Sequence, residues 1–191
     1  MAIDERVLGW HVPLSHATQT LRTAHADLQA LGLKQADVPF LVQLIENPKY
    51  DFPGIDLFHG ATDLLAHDRI HILLGRGLLP KDEAFVIGFT MGSTDQVGVS
   101  EERLYGLFAK YLYPREYRFD DDDLRVFRDA VRLGFVSDCV ALDRVDFEPL
   151  LDLPLREARA RLGIEDDLLR AYFAIEKRRY PNSRESQRLL A

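Results

Sequence analysis

Pro80-Lys81-Asp82-Glu83-Ala84-Phe85-Val86-Ile87-Gly88-Phe89-Thr90-Met91-Gly92 is the stretch that decides the fold. After its three charged residues it is apolar on every face, which places it in the interior. Phe, Val and Ile favour strands, so a central strand is the competing reading. The start of the segment tips the balance to helix. A proline in the first turn loses no hydrogen bond, and the carboxylates behind it meet the positive end of the helix dipole. A buried central helix implies others wrapped around it.

Working outward, the neighbouring segments read as helices too. Residues 54–74 form one, closed by Gly75-Arg76-Gly77 as C-cap and turn. Ser15 to Leu31 carries Leu21, Ala24, Leu28 and Leu31 on one stripe, with Gly32 as a stop. Asp37 caps a short helix through Leu44, and the proline-containing stretch 47–54 is a loop. Ser100-Glu101-Glu102 starts a helix that runs to Tyr113 and stops at Pro114. Asp120 to Asp123 cap and charge the start of a helix from Leu124 to about Ser137. Four consecutive acids lack the alternate spacing of a calcium loop. Pro154 opens Leu155 to Leu162, ended by Gly163, and Asp166 to Tyr180 precede Pro181 and a polar tail. Strand alternation, repeats and linkers are absent from the pattern. The expectation is an all-α, single-domain helical bundle of about seven or eight helices spanning residues 1–191.

Composition bounds the function. The 191 residues are 47% hydrophobic and 29% charged, an ordinary globular balance. A net charge of -7 repels phosphate backbones, so no nucleic-acid partner is expected. It also disfavours general adsorption to anionic lipid, though a local basic patch such as Lys177-Arg178-Arg179 leaves peripheral membrane contact open. No apolar run approaches the roughly 20 residues of a membrane span, and the acidic N-terminus does not read as a signal peptide. A cytoplasmic protein is expected. One cysteine, Cys139, sits among Phe135, Val136 and Val140 and reads as a small buried apolar residue.

His67-Asp68-Arg69-Ile70-His71 is the stretch that carries chemistry. Histidines four apart lie one turn apart on one helix face, so both imidazoles can reach a single ion. Asp68, about 100° round the helix, is either a ligand or the acceptor that orients one. A further ligand must come from another element. Glu83 is the natural candidate, because the turn at 75–79 folds the next helix back. Leu64, Leu65, Ile70, Ile72, Leu73 and Leu74 surround these polar residues. Buried ionisable groups are costly unless they are paired or bound to a metal. A metal site and a hydrogen-bonded core cluster both satisfy that requirement.

The pattern H-D-x-x-H, eleven residues, then E is met by His67, Asp68, His71 and Glu83. It resembles the signature of the coenzyme Q (ubiquinone) biosynthesis protein 4 family. Gly75, four after His71, is similar to that family's H-x-x-x-G, and residues 154–164 are similar to its closing helix. The chain departs from the family between Asp68 and His71, where members often carry apolar or aromatic residues and this chain has Arg69 beside Ile70, and in the unfamiliar stretch 113–117. The resemblance implies a zinc ion on the four named residues. It also implies a polyprenylated lipid or quinone precursor as ligand, and oxidative decarboxylation at C1 of a 4-hydroxybenzoate-derived ring. A scaffold role in a biosynthetic complex, a homodimer and a peripheral place at the inner membrane are further implications. Zinc has no redox chemistry, so Fe²⁺ or Mn²⁺ is the alternative for an oxidative step.

Around this centre, His59 and Asp63 lie on the same helix as candidate outer ligand and imidazole partner, and Asp56 as a cap. Arg69 and Arg76 are candidates to meet an anionic head group, or else form a solvated helix face and turn. Gly88 and Gly92, four apart, leave either a groove for a prenyl tail or a close helix contact. His11, His16 and His25 read as surface or core residues. Two rival functions remain. One is an HD-type metal-dependent phosphohydrolase, using His67-Asp68 with His25 or His59 and Asp95 or Asp143. The other is a lipid-binding scaffold with a structural metal, favoured if all four residues bind the ion directly.

Overall fold

The computed structural model describes residues 5–31, 64–94 and 119–190. Among these, every regular element is helical, and a lone bridge pairs Thr20 with Pro154. The helices are α1 (Glu5–Gly9), α2 (Leu21–Gln29), α3 (Leu64–Leu74), α4 (Pro80–Gly92), α5 (Asp121–Val136), α6 (Leu155–Leu162), α7 (Asp166–Arg179) and α8 (Arg184–Arg188). The expected helices at 37–44 and 100–113, the loop at 47–54 and the first half of the helix from 54 lie outside the described residues. None of the described helices is long and apolar enough to cross a membrane.

The helix reading of residues 80–92 holds. Every residue of α4 from Lys81 to Gly92 is buried, the charged ones included. Its main partner is α5, and the two backbones meet at glycines. A methyl placed on Gly88 would overlap the Phe127 carbonyl, one on Gly92 the Val131 carbonyl, and one on Gly134 of α5 the Phe89 carbonyl. The groove beside Gly88 and Gly92 is therefore filled by α5, and the sequence-based offer of that groove to a lipid tail is withdrawn. Overpacking a tight core costs about 1–3 kcal/mol. Here the obstacle is main chain, so Gly92→Val is expected to cost about 3 kcal/mol. Chemical denaturation measures it, and a loss under about 0.5 kcal/mol would contradict the close crossing.

Capping explains where several helices begin and end. Asp120 accepts from Asp122 N and Asp123 N, both at 2.8 Å, while Asp123 Oδ2 accepts from Asp120 N at 3.0 Å. The acidic run caps the helix as expected, in the form of a capping box, and the helix begins at Asp121. Asp123 has a second task, because its Oδ1 takes the buried Lys81 ammonium at 2.7 Å. Gly163 ends α6 with φ at +71°, and Gly75 ends α3 at +68°, conformations glycine adopts without strain.

Two expectations are corrected. The first long helix begins at Leu21, with Thr20 as its N-cap, rather than at Ser15. The carbonyls of Ala17 and Gln19 accept from Arg156 N (3.0 Å) and Leu155 N (2.8 Å), so this stretch bonds to the start of α6 instead of coiling. The polar tail after Pro181 is also structured. Ser183 caps α8, and Ser186 and Leu189 are buried.

The core joins Leu14, Leu21 and Ala24 to Ile70–Leu74 of α3, to α4, and to the C-terminal third through Leu155, Ala158, Leu169 and Phe173. Buried Arg159 bridges these parts. Its Nε donates to Leu73 O at 2.8 Å and Nη1 to Leu14 O at 3.3 Å, which satisfies a carbonyl in the last turn of α3. The end of α3 is thus held firmly where His71 projects.

Candidate metal centre

The α3–α4 hairpin brings three side chains together. His67 and His71 stand one turn apart with ring centroids 4.6 Å apart. Glu83, in the first turn of α4, faces both. His67 Nε2 lies 3.2 Å from His71 Nε2 and 3.2 Å from Glu83 Oε2, and His71 Nε2 lies 3.3 Å from Glu83 Oε1. All three residues are buried, at 7%, 1% and 5% exposure, so water does not offset their polarity.

The hydrogen bonding fixes what the trio needs. His71 Nδ1 lies 2.6 Å from the Gly77 carbonyl, which can only accept, so Nδ1 carries a hydrogen. A neutral His71 then turns its Nε2 lone pair toward a carboxylate oxygen and a second imidazole nitrogen. Glu83 Oε2 is buried and has no hydrogen-bond partner among the described residues. Electron-rich atoms packed this closely require a bridging hydrogen, which His67 Nε2 can supply, or a metal ion between them. Donors in tetrahedral coordination at about 2.0–2.1 Å stand about 3.3 Å apart, the spacing this trio shows. An imidazole whose other nitrogen donates to a carbonyl is also the usual arrangement of a ligating histidine. The residues present fit a divalent ion.

Without metal, a proton does the work. Burial alone would push the His71 pKa down, but the Glu83 charge and hydrogen bond outweigh it and hold it above the ordinary histidine value. Burial would push Glu83 up, and His71 and His67 overcome that to hold it below the ordinary carboxylate value. The signs set the pH dependence. The raised His71 pKa stabilises the metal-free fold fully below its unfolded value, and that contribution is lost as pH rises through the folded value. The depressed Glu83 pKa stabilises above the unfolded glutamate value and is lost as pH falls through the folded one. Metal competes with the proton on His71, so the opposite trend is expected for the loaded protein. The rise in Tm on adding Zn²⁺ should grow as pH is raised through the His71 pKa. Thermal scans at several pH values, with and without metal, check this, and a metal-induced shift independent of pH would count against it.

The other sequence-derived candidates are placed as follows. Asp68 does not join the trio; its Oδ2 faces His25 Nε2 of α2 at 3.7 Å. Arg69 pairs with exposed Glu148 at 3.0 Å. Arg76 meets neither solvent nor a head group, which corrects both readings of it. It is fully buried, forked onto Glu176 at 3.0 and 2.7 Å, and stacked over Phe85 at 3.8 Å and Phe173 at 4.4 Å. Gly88 lies against α5. His59 and Asp63, with Asp56 and Asp95, lie outside the described residues. His16 is exposed, and His11 is half-buried with its pKa lowered by burial and by Arg188. Burial, with the Glu165 charge, pushes the Cys139 thiol up to about 12, so it is inert as expected. Within the basic run, Arg178 and Arg179 are exposed, and Arg179 donates to Asp129 at 2.6 Å.

One participant was missed in the sequence, and the place of another was left open. His25 was read as a surface or core residue, or with His59 as an upstream histidine of the phosphohydrolase reading, and it is His25 that faces Asp68. The Gly77 carbonyl is main chain and has no residue signature at all. Compared with known proteins, the chain matches no family model, no curated protein and no solved structure.

Proposed function

We propose that this chain is a metalloprotein in which His67, His71 and Glu83 hold a divalent ion and leave a coordination position open to an oxygen donor of a small organic acid. The observation that carries the reading is the three buried donors 3.2–3.3 Å apart, with the His71 tautomer set by Gly77. Two histidines and one carboxylate form the donor set of hydrolytic zinc sites and of non-haem iron sites, both of which keep open positions. A structural zinc site would close all four, and Asp68 faces His25 instead.

The resemblance carried by the H-D-x-x-H…E spacing supports a polyprenylated quinone precursor as substrate and oxidative decarboxylation at C1 of its 4-hydroxybenzoate-derived ring as the reaction. Held by His67, His71 and Glu83, an ion would supply Lewis acidity toward a carboxylate or phenolate oxygen, and an oxidative course would need iron or manganese in place of zinc together with an external oxidant such as dioxygen. The chain's own residues have separate parts in this. Gly77 orients His71, Glu83 balances the ion's charge, and the surrounding apolar side chains exclude water. The prenyl tail runs elsewhere than along the Gly88–Gly92 face of α4, which α5 covers.

Cobalt substitution tests the open position. The Co²⁺-loaded protein should show a visible spectrum of low coordination number that shifts when 4-hydroxybenzoate is added. A spectrum indifferent to any carboxylate or phenolate would argue for a closed, structural site. One observation favours the phosphohydrolase reading, namely His25 approaching Asp68 at 3.7 Å. It predicts metal-dependent hydrolysis of a phosphate ester that is lost in His25→Ala and retained in Glu83→Gln. The proposal made here requires the reverse sensitivity for metal binding.

A further inference from the structure

The segment after Pro181 reads as a polar tail in the sequence, yet it is docked with more specificity than a surface tail needs. Ser186 donates its hydroxyl to Glu176 Oε1 at 2.9 Å, and Gln187 Nε2 donates to Lys177 O at 2.9 Å and Tyr180 O at 3.1 Å. Leu189 is 1% exposed. These anchors aim Arg188 into the turn between α3 and α4. There its Nη2 donates to Asp82 Oδ2 in a charge-assisted bond. The same Asp82 oxygen accepts from Leu79 N at 3.2 Å, so Arg188 grips the cap of α4 one residue before Glu83.

The guanidinium also lies directly over Gly77. A methyl on Gly77 would overlap Arg188 Nη2 and the Trp10 carbonyl and come within 2.7 Å of Arg188 Cζ. Gly77 has an ordinary negative φ, so its glycine is required by this close approach and not by backbone conformation. Its carbonyl is the group that fixes His71. One side chain from the far end of the chain therefore braces the supports of two of the three metal donors.

We infer that α8 is a positioning clamp for the metal centre, with Arg188 setting His71 through Gly77 and Glu83 through Asp82, so that metal affinity depends on the docked C-terminal segment. This rests on the metal reading above. Arg188 touches neither the ion nor substrate and acts through its neighbours. Groups that orient metal ligands typically change affinity by about 10–100-fold when removed.

The test is a competition titration of Zn²⁺ on the full chain, with the Co²⁺ spectrum and the ¹⁵N shifts of the His71 ring as second readouts. Arg188→Ala and Gly77→Ala are compared with wild type and with Arg22→Ala, which removes an exposed ion pair to Asp152. The clamp predicts about 10–100-fold weaker binding and an altered cobalt spectrum in both test variants, and no change in Arg22→Ala. Wild-type affinity and spectrum in folded Arg188→Ala and Gly77→Ala would overturn it. If Arg188→Ala does not fold, Arg188→Lys decides, because it keeps the charge on Asp82 and loses the planar fork over Gly77. Weaker binding with a shifted His71 ring signal then supports the clamp, and wild-type values for both overturn it. A wild-type protein that binds no metal would instead sink the proposed function, so the two failures are distinguishable.

Discussion

Arg76→Ala is expected to destabilise the protein by about 3–5 kcal/mol, the cost of removing one partner from a buried ion pair. For a chain of this length that corresponds to a fall in Tm of about 10 °C. The reason is what remains behind. Glu176 is 1% exposed and would keep only the Ser186 hydroxyl at 2.9 Å, and a cavity would open between Phe85 and Phe173. Arg76→Lys should recover part of the loss, because it restores the charge but not the fork. Replacing both partners, Arg76→Met with Glu176→Leu, should cost less than Arg76→Ala alone, since no charge is left unpaired. A double variant that is more damaged than the single one would contradict this account of the pair.

Glu83→Gln is expected to reduce zinc affinity by about 100-fold or more, a ligand's share of the roughly 10–16 kcal/mol that closed zinc sites provide. The substitution preserves shape and removes the charge. His71→Ala should have an effect of the same size. Asp68→Ala discriminates between ligand sets. Its carboxylate faces His25 and not the three donors, so its removal should cost clearly less affinity than Glu83→Gln. Isothermal titration of all three variants settles the order. Equal losses in Asp68→Ala and Glu83→Gln would mean that the ion draws Asp68 in as a fourth ligand, and the site would then be of the closed type.

What the sequence could reveal followed the reach of its signals. The α4 helix was legible because Pro80 and its acids declare a start locally, and an all-apolar body declares burial. The α5 cap was legible because Asp120 to Asp123 bond to their own helix. The His67–His71 pair was legible from spacing alone, and Glu83 from the short turn that returns the chain. Interactions that join distant parts of the chain were not legible. Arg76 finds Glu176 a hundred residues away, so a residue next to a turn read as solvated is in fact enclosed. The start of α2 moved because its upstream carbonyls bond to Leu155 and Arg156. The glycines of α4 left two readings open until α5 was seen against them. Gly75, Gly77 and Arg76 sit side by side in the sequence, and only the fold separates their tasks into a left-handed cap, a close approach under Arg188 and a core ion pair.

The central claim is that His67, His71 and Glu83 hold a metal ion. Elemental analysis of protein purified without chelators tests it most directly, with His71→Ala prepared in parallel. The account predicts near-stoichiometric zinc, iron or manganese in the wild type and its loss in the variant, with both proteins folded. Wild-type protein that is folded, metal-free and unable to take up any of these ions would contradict it, and would leave the trio a proton-bridged cluster in the core.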